Sequence, residues 1–352
     1  MSVKNQIKLT IIAMAVLLLS VPSYAESPYP NNVTIEITPS LRHVDTFKIN
    51  GFSTAITDTA SDDFKRQSDE GTEFSSIGLG MSGRVVAPAI RNSDRLILEF
   101  DYFRANDMSF TDTNTMVGGE LFEIISINNG KQVDDISSSQ PGEIISTVSV
   151  THRSGSVAAL YGFHLPDNIL GHSNLQAEAG LQFIETQDKL AVDQKGLGTF
   201  ANPTPFSYHY LDEKVTAKYF GPVVGVFGTV PLSDKLKFIG RARTGALLYR
   251  STLDGEQRVL KGSGAVTDIS ASDHNSGIAY LGKLEAGISY SVTKWLSVDL
   301  NANITYLSKS PEIENPHVDA GDNVLSNTFS PVALRTGSSE DAGINFSFVF
   351  RR

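Results

Sequence analysis

The side chains best suited to chemistry in this chain are seven histidines set among thirty-nine acidic residues. The histidines are His43, His152, His164, His172, His209, His274 and His317. Asp273-His274 is the one directly adjacent acid–histidine pair. Neighbours on an extended strand point to opposite faces, so adjacency alone builds no dyad. Asp62-Asp63 and Asp134-Asp135 offer paired carboxylates that would flank an activated water, but no motif ties them to a histidine. No Gly-x-Ser-x-Gly run supplies a nucleophile elbow. Cysteine is absent, and the His and carboxylate spacings match no zinc site, calcium loop or phosphate-cradling loop. The acidic residues Glu312, Glu314, Asp319 and Asp322 read as solvated surface, or as ligands for divalent cations near an anionic surface. The expectation is a chain that is not an enzyme and carries no cofactor and no metal.

A second set of charges has a clearer pattern. Arg84, Glu99, Asp101, Glu178, Arg241, Arg243, Lys283, Glu285 and Asp299 each fall on the polar side of an alternating segment. If those polar sides face a common interior, the charges form either a pore lining that biases ion passage or a core of ion pairs. An isolated buried charge costs several kcal/mol, so such groups pair or stay wet. Arg241 and Arg243 form an anion-favouring patch if unpaired, and are otherwise partners for Glu285 on the next strand.

The elements that carry these charges alternate with period two, the mark of strands with one apolar and one polar face. In the C-terminal segment, Ile344, Phe346, Phe348 and Phe350 share one face; Gly343, Asn345 and Ser347 share the other. The same alternation runs through 296–306, 278–292, 235–250, 174–187 and 95–105, with further candidates at 33–49, 73–87 and 214–230. In 143–165 the apolar phase flips near Ser154-Gly155-Ser156, consistent with one bulged strand or with two short strands. One bulged strand gives ten strands, whose connections alternate long (50–72, 106–142, 191–213, 251–277, 309–340) and short (88–94, 166–173, 231–234, 293–294). That rhythm is the pattern of outer-membrane barrels, which have even strand numbers, long extracellular loops and short periplasmic turns. Eight or twelve strands are the alternatives. Loop-type composition fills the long connections, and no plug or separate domain is evident.

Export agrees with this. Lys4 and Lys8 precede the apolar run Ile11 to Leu19, and Ser23-Tyr24-Ala25 resembles a small-residue cleavage site. Residues 1–25 therefore read as a signal peptide and 26–352 as a single barrel domain. The apolar run is short of the about 20 residues of a spanning helix, and charged or strongly polar residues interrupt every later one. Mean hydropathy is −0.09 with 40% hydrophobic residues, which suits strands with only alternate residues apolar. Net charge is −10, which argues against nucleic acid as a partner. Aromatic residues near strand ends, namely Tyr102, Phe103, Tyr219, Phe220, Tyr249, Tyr290, Trp295, Tyr306 and Phe350, read as an interfacial girdle.

The stretch from Tyr219 to Arg250, YFGPVVGVFGTVPLSDKLKFIGRARTGALLYR, is a strand–turn–strand unit. With the preceding NLQAEAGLQFIETQ and the terminal strand, it resembles the Legionella-type major outer-membrane protein family. The resemblance implies a pore-forming barrel. The expected fold is all-β, a transmembrane antiparallel barrel of about ten strands in the bacterial outer membrane. Expected partners are membrane lipid, lipopolysaccharide and, through the C-terminal strand, the barrel-assembly machinery. The leading function is a small passive pore or structural envelope protein. A loop-mediated adhesin or ligand-binding barrel and an omptin-like protease are the alternatives.

Overall fold

The computed structural model describes residues 33–50, 54–58, 64–66, 72–89, 94–117, 120–138, 142–165, 174–197, 205–261, 264–316 and 329–351. The expected signal peptide, Asp62-Asp63, His172, His317, Asp319 and Asp322 lie outside these residues. Among the described residues there are fifteen strands: β1 (Thr34–Asn50), β2 (Thr54–Asp58), β3 (Phe64–Arg66), β4 (Thr72–Pro88), β5 (Arg95–Ala105), β6 (Met108–Met116), β7 (Glu120–Ile125), β8 (Gln132–Ser138), β9 (Gly142–His164), β10 (Asn174–Leu197), β11 (Pro205–Pro231), β12 (Leu236–Leu260), β13 (Val266–Ser291), β14 (Leu296–Glu314) and β15 (Ala333–Arg351).

Ten of them close a ring. The order runs β1-β4-β5-β9-β10-β11-β12-β13-β14-β15, and antiparallel pairing of β15 with β1 seals it. Closure satisfies every edge, as a strand structure in lipid requires. β6 continues β5 along the same partner: Arg104 pairs with Arg153 and Met108 with Val150, both on β9. At the end holding both described termini, the connections from β11 to β12 and from β13 to β14 are tight turns. Ser233 and Thr293 each accept backbone N–H bonds through their hydroxyls, from Leu236 and Leu296 respectively, which fixes both. Strands β3-β2-β7-β8 form a separate four-stranded sheet at the opposite end.

The barrel has two halves of opposite polarity. Near the tight turns the outer face is apolar and exposed: Ile37, Leu41, Leu79, Leu181, Phe220, Val224, Val226, Leu248, Ile278, Leu284, Ile344 and Phe346 all point outward. The inner face there carries Thr38, Ser40, Arg42, Arg84, Glu178, Asn301, Asn345 and Ser347, all buried. Towards the far end the pattern inverts. Ile127, Val148, Val150, Leu190, Val192, Leu211, Val215, Leu253, Ile313, Val332 and Leu334 meet in one buried interior cluster. Outward positions there are charged or polar, including Lys189, Lys214, Asp254 and Glu256. The first half is a lipid-facing barrel and the second has the inside-out logic of a soluble one.

This inversion corrects three expectations. β9 is a single strand whose register with β10 runs unbroken from His164 to Glu143, with no bulge. Its apolar phase flips because Val157, Ala159, Tyr161 and Phe163 face outward in the lipid half while Val148 and Val150 face inward in the far half. The segments 191–213 and 251–277 are not long loops. β10, β11, β12 and β13 extend through them, leaving 198–204 and 261–265 between strand ends. The connections 50–72 and 106–142 contain strands β2, β3, β6, β7 and β8.

Candidate functional site in the barrel interior

At the middle of the lipid-facing half, inward side chains from four strands form a charge layer. Arg84 comes from β4, Glu99 from β5, Glu178 from β10, and Arg241 and Arg243 from β12; Glu285 of β13 extends the layer. Period-two geometry aims each of them inward, and closure brings distant segments face to face. Glu99 is the hub: it lies 3.1 Å from Arg84, 2.7 Å from Arg243 and 4.0 Å from Arg241. Glu178 bonds Arg84 at 2.5 Å and Arg243 at 3.1 Å. Arg241 reaches Glu285 at 3.2 Å. The guanidinium groups of Arg84 and Arg241 also lie 5.2 and 5.1 Å from the Phe227 ring. Three cations thus meet three anions, and the layer is neutral.

Arg241 pairs with Glu285 as the register implies. Arg243 does not; it sits opposite Lys283 in register and turns across the lumen to Glu99 and Glu178. The remaining expected lining residues divide between two cavities. Asp299 lines one of about 220 Å³ on the tight-turn side, with Glu36, Arg95, Lys237 and Arg351. Asp101 and Lys283 line one of about 110 Å³ on the other side. Asp101 is bound there by both terminal nitrogens of Arg42, which also approaches Asp341 at 3.7 Å. His152 Nδ1 lies 2.5 Å from Asp188 in the same cavity. Sequence reasoning missed Arg42 and the His152–Asp188 pair. Arg42 shares the phase of Thr38 and Ser40, a usable signal, whereas the dyad needs the β9–β10 register, which places His152 opposite Asp188.

Beyond that cavity the described interior turns apolar. The apolar cluster draws residues from β9, β10, β11, β12, β14 and β15, with Met108 and Phe110 of β6 and Ile269 and Ala271 of β13 packed against it. These strands are consecutive around the ring, and Ile127 and Val332 from the connections join their inward side chains in the same cluster. Interiors of about eight strands are filled by side chains, and ten strands are little wider.

A hydrogen-bond chain then ties the wall to the end cap. Gln194 Nε2 donates to Ser146 Oγ at 3.0 Å, and Gln194 Oε1 lies 2.7 Å from His209 Nδ1. Gln257 Nε2 contacts His209 Nε2 at 3.0 Å and donates to the Ile125 carbonyl at 2.9 Å. Gln257 Oε1 accepts from the Ile127 N–H at 3.1 Å. This order of donors requires neutral His209 protonated on Nδ1, and burial does hold its pKa down at about 3. Burial pushes the neighbouring Glu213 up to about 7, against the opposing effect of a hydrogen bond from Asn315. Ile127, held by Gln257, is a loop residue inserted into the interior cluster, as is Val332. Val332 N donates to the Ile127 carbonyl at 2.8 Å, and Phe329 N to Gly130 at 3.1 Å. Gly130 has φ +63°, and a Cβ there would collide with the Phe329 carbonyl. Above this the four-stranded sheet packs Ile56, Phe122 and Ile124 onto Met116, Ile144 and Val259 at the strand ends.

The aromatic residues separate by face. Tyr290, Trp295, Tyr306 and Phe350 are exposed on the outside, and Tyr102 is partly exposed. Tyr219 and Tyr249 are not girdle residues; they point inward, are 1% and 2% exposed, and stack with centroids 5.1 Å apart. Phe103 is likewise interior. The glycine-rich 214–230 segment hid the phase of Tyr219, and cross-strand pairing with Tyr249 carries the same facing to β12.

No family model matches the chain, and no curated protein is similar to it in sequence. Among solved structures it is similar to the outer membrane protease OmpT of Escherichia coli, at 10% identity and TM-score 0.45, covering 94% of this chain and 100% of that one. The translocator domain of the autotransporter NalP from Neisseria meningitidis gives 11% identity and TM-score 0.31, covering 99% and 96%. A Pseudomonas aeruginosa FadL homologue gives 10% and 0.27, covering 91% and 90%. The closed antiparallel ring with an apolar outer belt is the fold of an outer-membrane β-barrel.

Proposed function

We propose that this protein is a closed outer-membrane barrel, a structural envelope protein that carries a folded cap on its extracellular end. The interior apolar cluster supports this reading most directly, because it sets buried apolar side chains from successive strands and two connections where a solute would have to pass. The neutral charge layer adds a second constriction in the lipid-facing half. The long, strand-bearing connections support an extracellular cap, since barrels of this kind carry long extracellular loops and short periplasmic turns. A gated passive pore is the second reading. It is favoured by the resemblance to pore-forming barrels and by the polar cavity of about 220 Å³ that leads to the charge layer. Single-channel recording of the refolded mature chain in a planar bilayer separates them. The closed-barrel reading expects silence from protein shown to be inserted and folded. Reproducible discrete conductance steps would contradict it.

A further inference from the structure

The outward face of β11 and β12 changes character in one step. Phe220 and Leu248 lie opposite each other in register, 50% and 66% exposed, and Ile278 of β13 continues the row. They mark the upper limit of the lipid-facing belt. From Phe220 to Val230 and from Phe238 to Leu248, each strand has about the 9–11 residues that a tilted strand needs to cross the hydrocarbon. The next outward pair towards the cap is Lys218 and Arg250, again directly opposite each other and both exposed. Neither side chain makes a hydrogen bond or ion pair with any described residue. Their cross-strand flanks are Glu185 on β10, which comes within ion-pair distance of neither cation, and Ser276 on β13. Thr216 and Thr252 form the row above.

Like charges directly opposite on a sheet repel and destabilise it. At headgroup level, next to an apolar wall, an anion that also has acyl chains would relieve that repulsion. We propose that Lys218 and Arg250 clamp a phosphate of lipopolysaccharide in the outer leaflet, with its acyl chains along Phe220, Leu248, Ile278 and Tyr280. Arg–phosphate bonds are charge-assisted, and the threonine hydroxyls above offer donors to the sugar. The site rests on the outer-membrane orientation and is independent of whether the lumen conducts.

The test uses the refolded mature chain in detergent, incubated with lipopolysaccharide, with its dephosphorylated form, or with phosphatidylglycerol, and measures bound lipid after gel filtration. Phosphorylated lipopolysaccharide should be retained over both others. The double variant Lys218→Gln/Arg250→Gln should bind it roughly 30-fold more weakly, for two interfacial cations. Lys235→Gln, in an exposed turn at the opposite end, should bind as the parent does. Fold is checked by the heat-dependent gel shift, and the single variants serve if the double one misfolds. Unchanged binding by the correctly folded variants would overturn the proposal. Equal retention of the dephosphorylated form or of phosphatidylglycerol would overturn it too.

Discussion

At the residue scale the molecule depends on how its buried charges are shared. Glu99 serves Arg84, Arg243 and Arg241, while Glu178 serves Arg84 and Arg243. Each carboxylate therefore holds cations from different strands, and removing one leaves guanidinium groups short of an anion. Breaking a buried ion pair from one side costs about 3–5 kcal/mol. Glu99→Gln should lower stability by about that amount, read from urea unfolding in lipid vesicles, whereas Lys237→Gln at the rim of the lower cavity should change little. Equal midpoints for Glu99→Gln and the parent would mean that the layer does not bind the strands together.

At the element scale the decisive feature is the inversion of facing along single strands. Leu190 and Leu181 both belong to β10, yet one is buried inside and the other exposed to lipid. The lipid-facing half was legible in the sequence because apolar outside and polar inside gives clean alternation, as in 296–306 and the terminal strand. The ten-strand count was legible from the rhythm of connections. The far half was not. There the apolar phase shifts to the other face, so the same strand reads as ended or bulged. β7 hid for a different reason: ELFEII is buried on both faces and shows no alternation. The charged lining was visible from spacing, but its pairing needed long-range closure that no local pattern encodes. The cap depends on Gln257, whose amide bonds both Ile125 and Ile127. Gln257→Leu should speed hydrogen exchange across residues 120–138 by about fivefold or more, the result of losing about 1 kcal/mol or more of bonding. Exchange in the lipid-facing part of β10 should stay as it was. Unchanged exchange in the cap would show that packing alone holds it.

At the scale of the whole molecule, a membrane barrel and a soluble-type barrel share the same ten strands. Lipid surrounds a lumen crossed by a paired charge layer in one half; water surrounds an apolar core in the other. The absence of native cysteine makes a clean accessibility experiment possible. Single cysteines are introduced as Leu190→Cys and Leu253→Cys in the interior cluster, Asp254→Cys on the outer wall beside it and Leu248→Cys in the lipid belt. The folded chain in liposomes is then exposed to a membrane-impermeant maleimide. A closed barrel should label rapidly at 254 and be strongly protected at 190, 253 and 248. Labelling at 190 and 253 as fast as at 254 would mean a water-filled lumen, and would contradict the closed barrel.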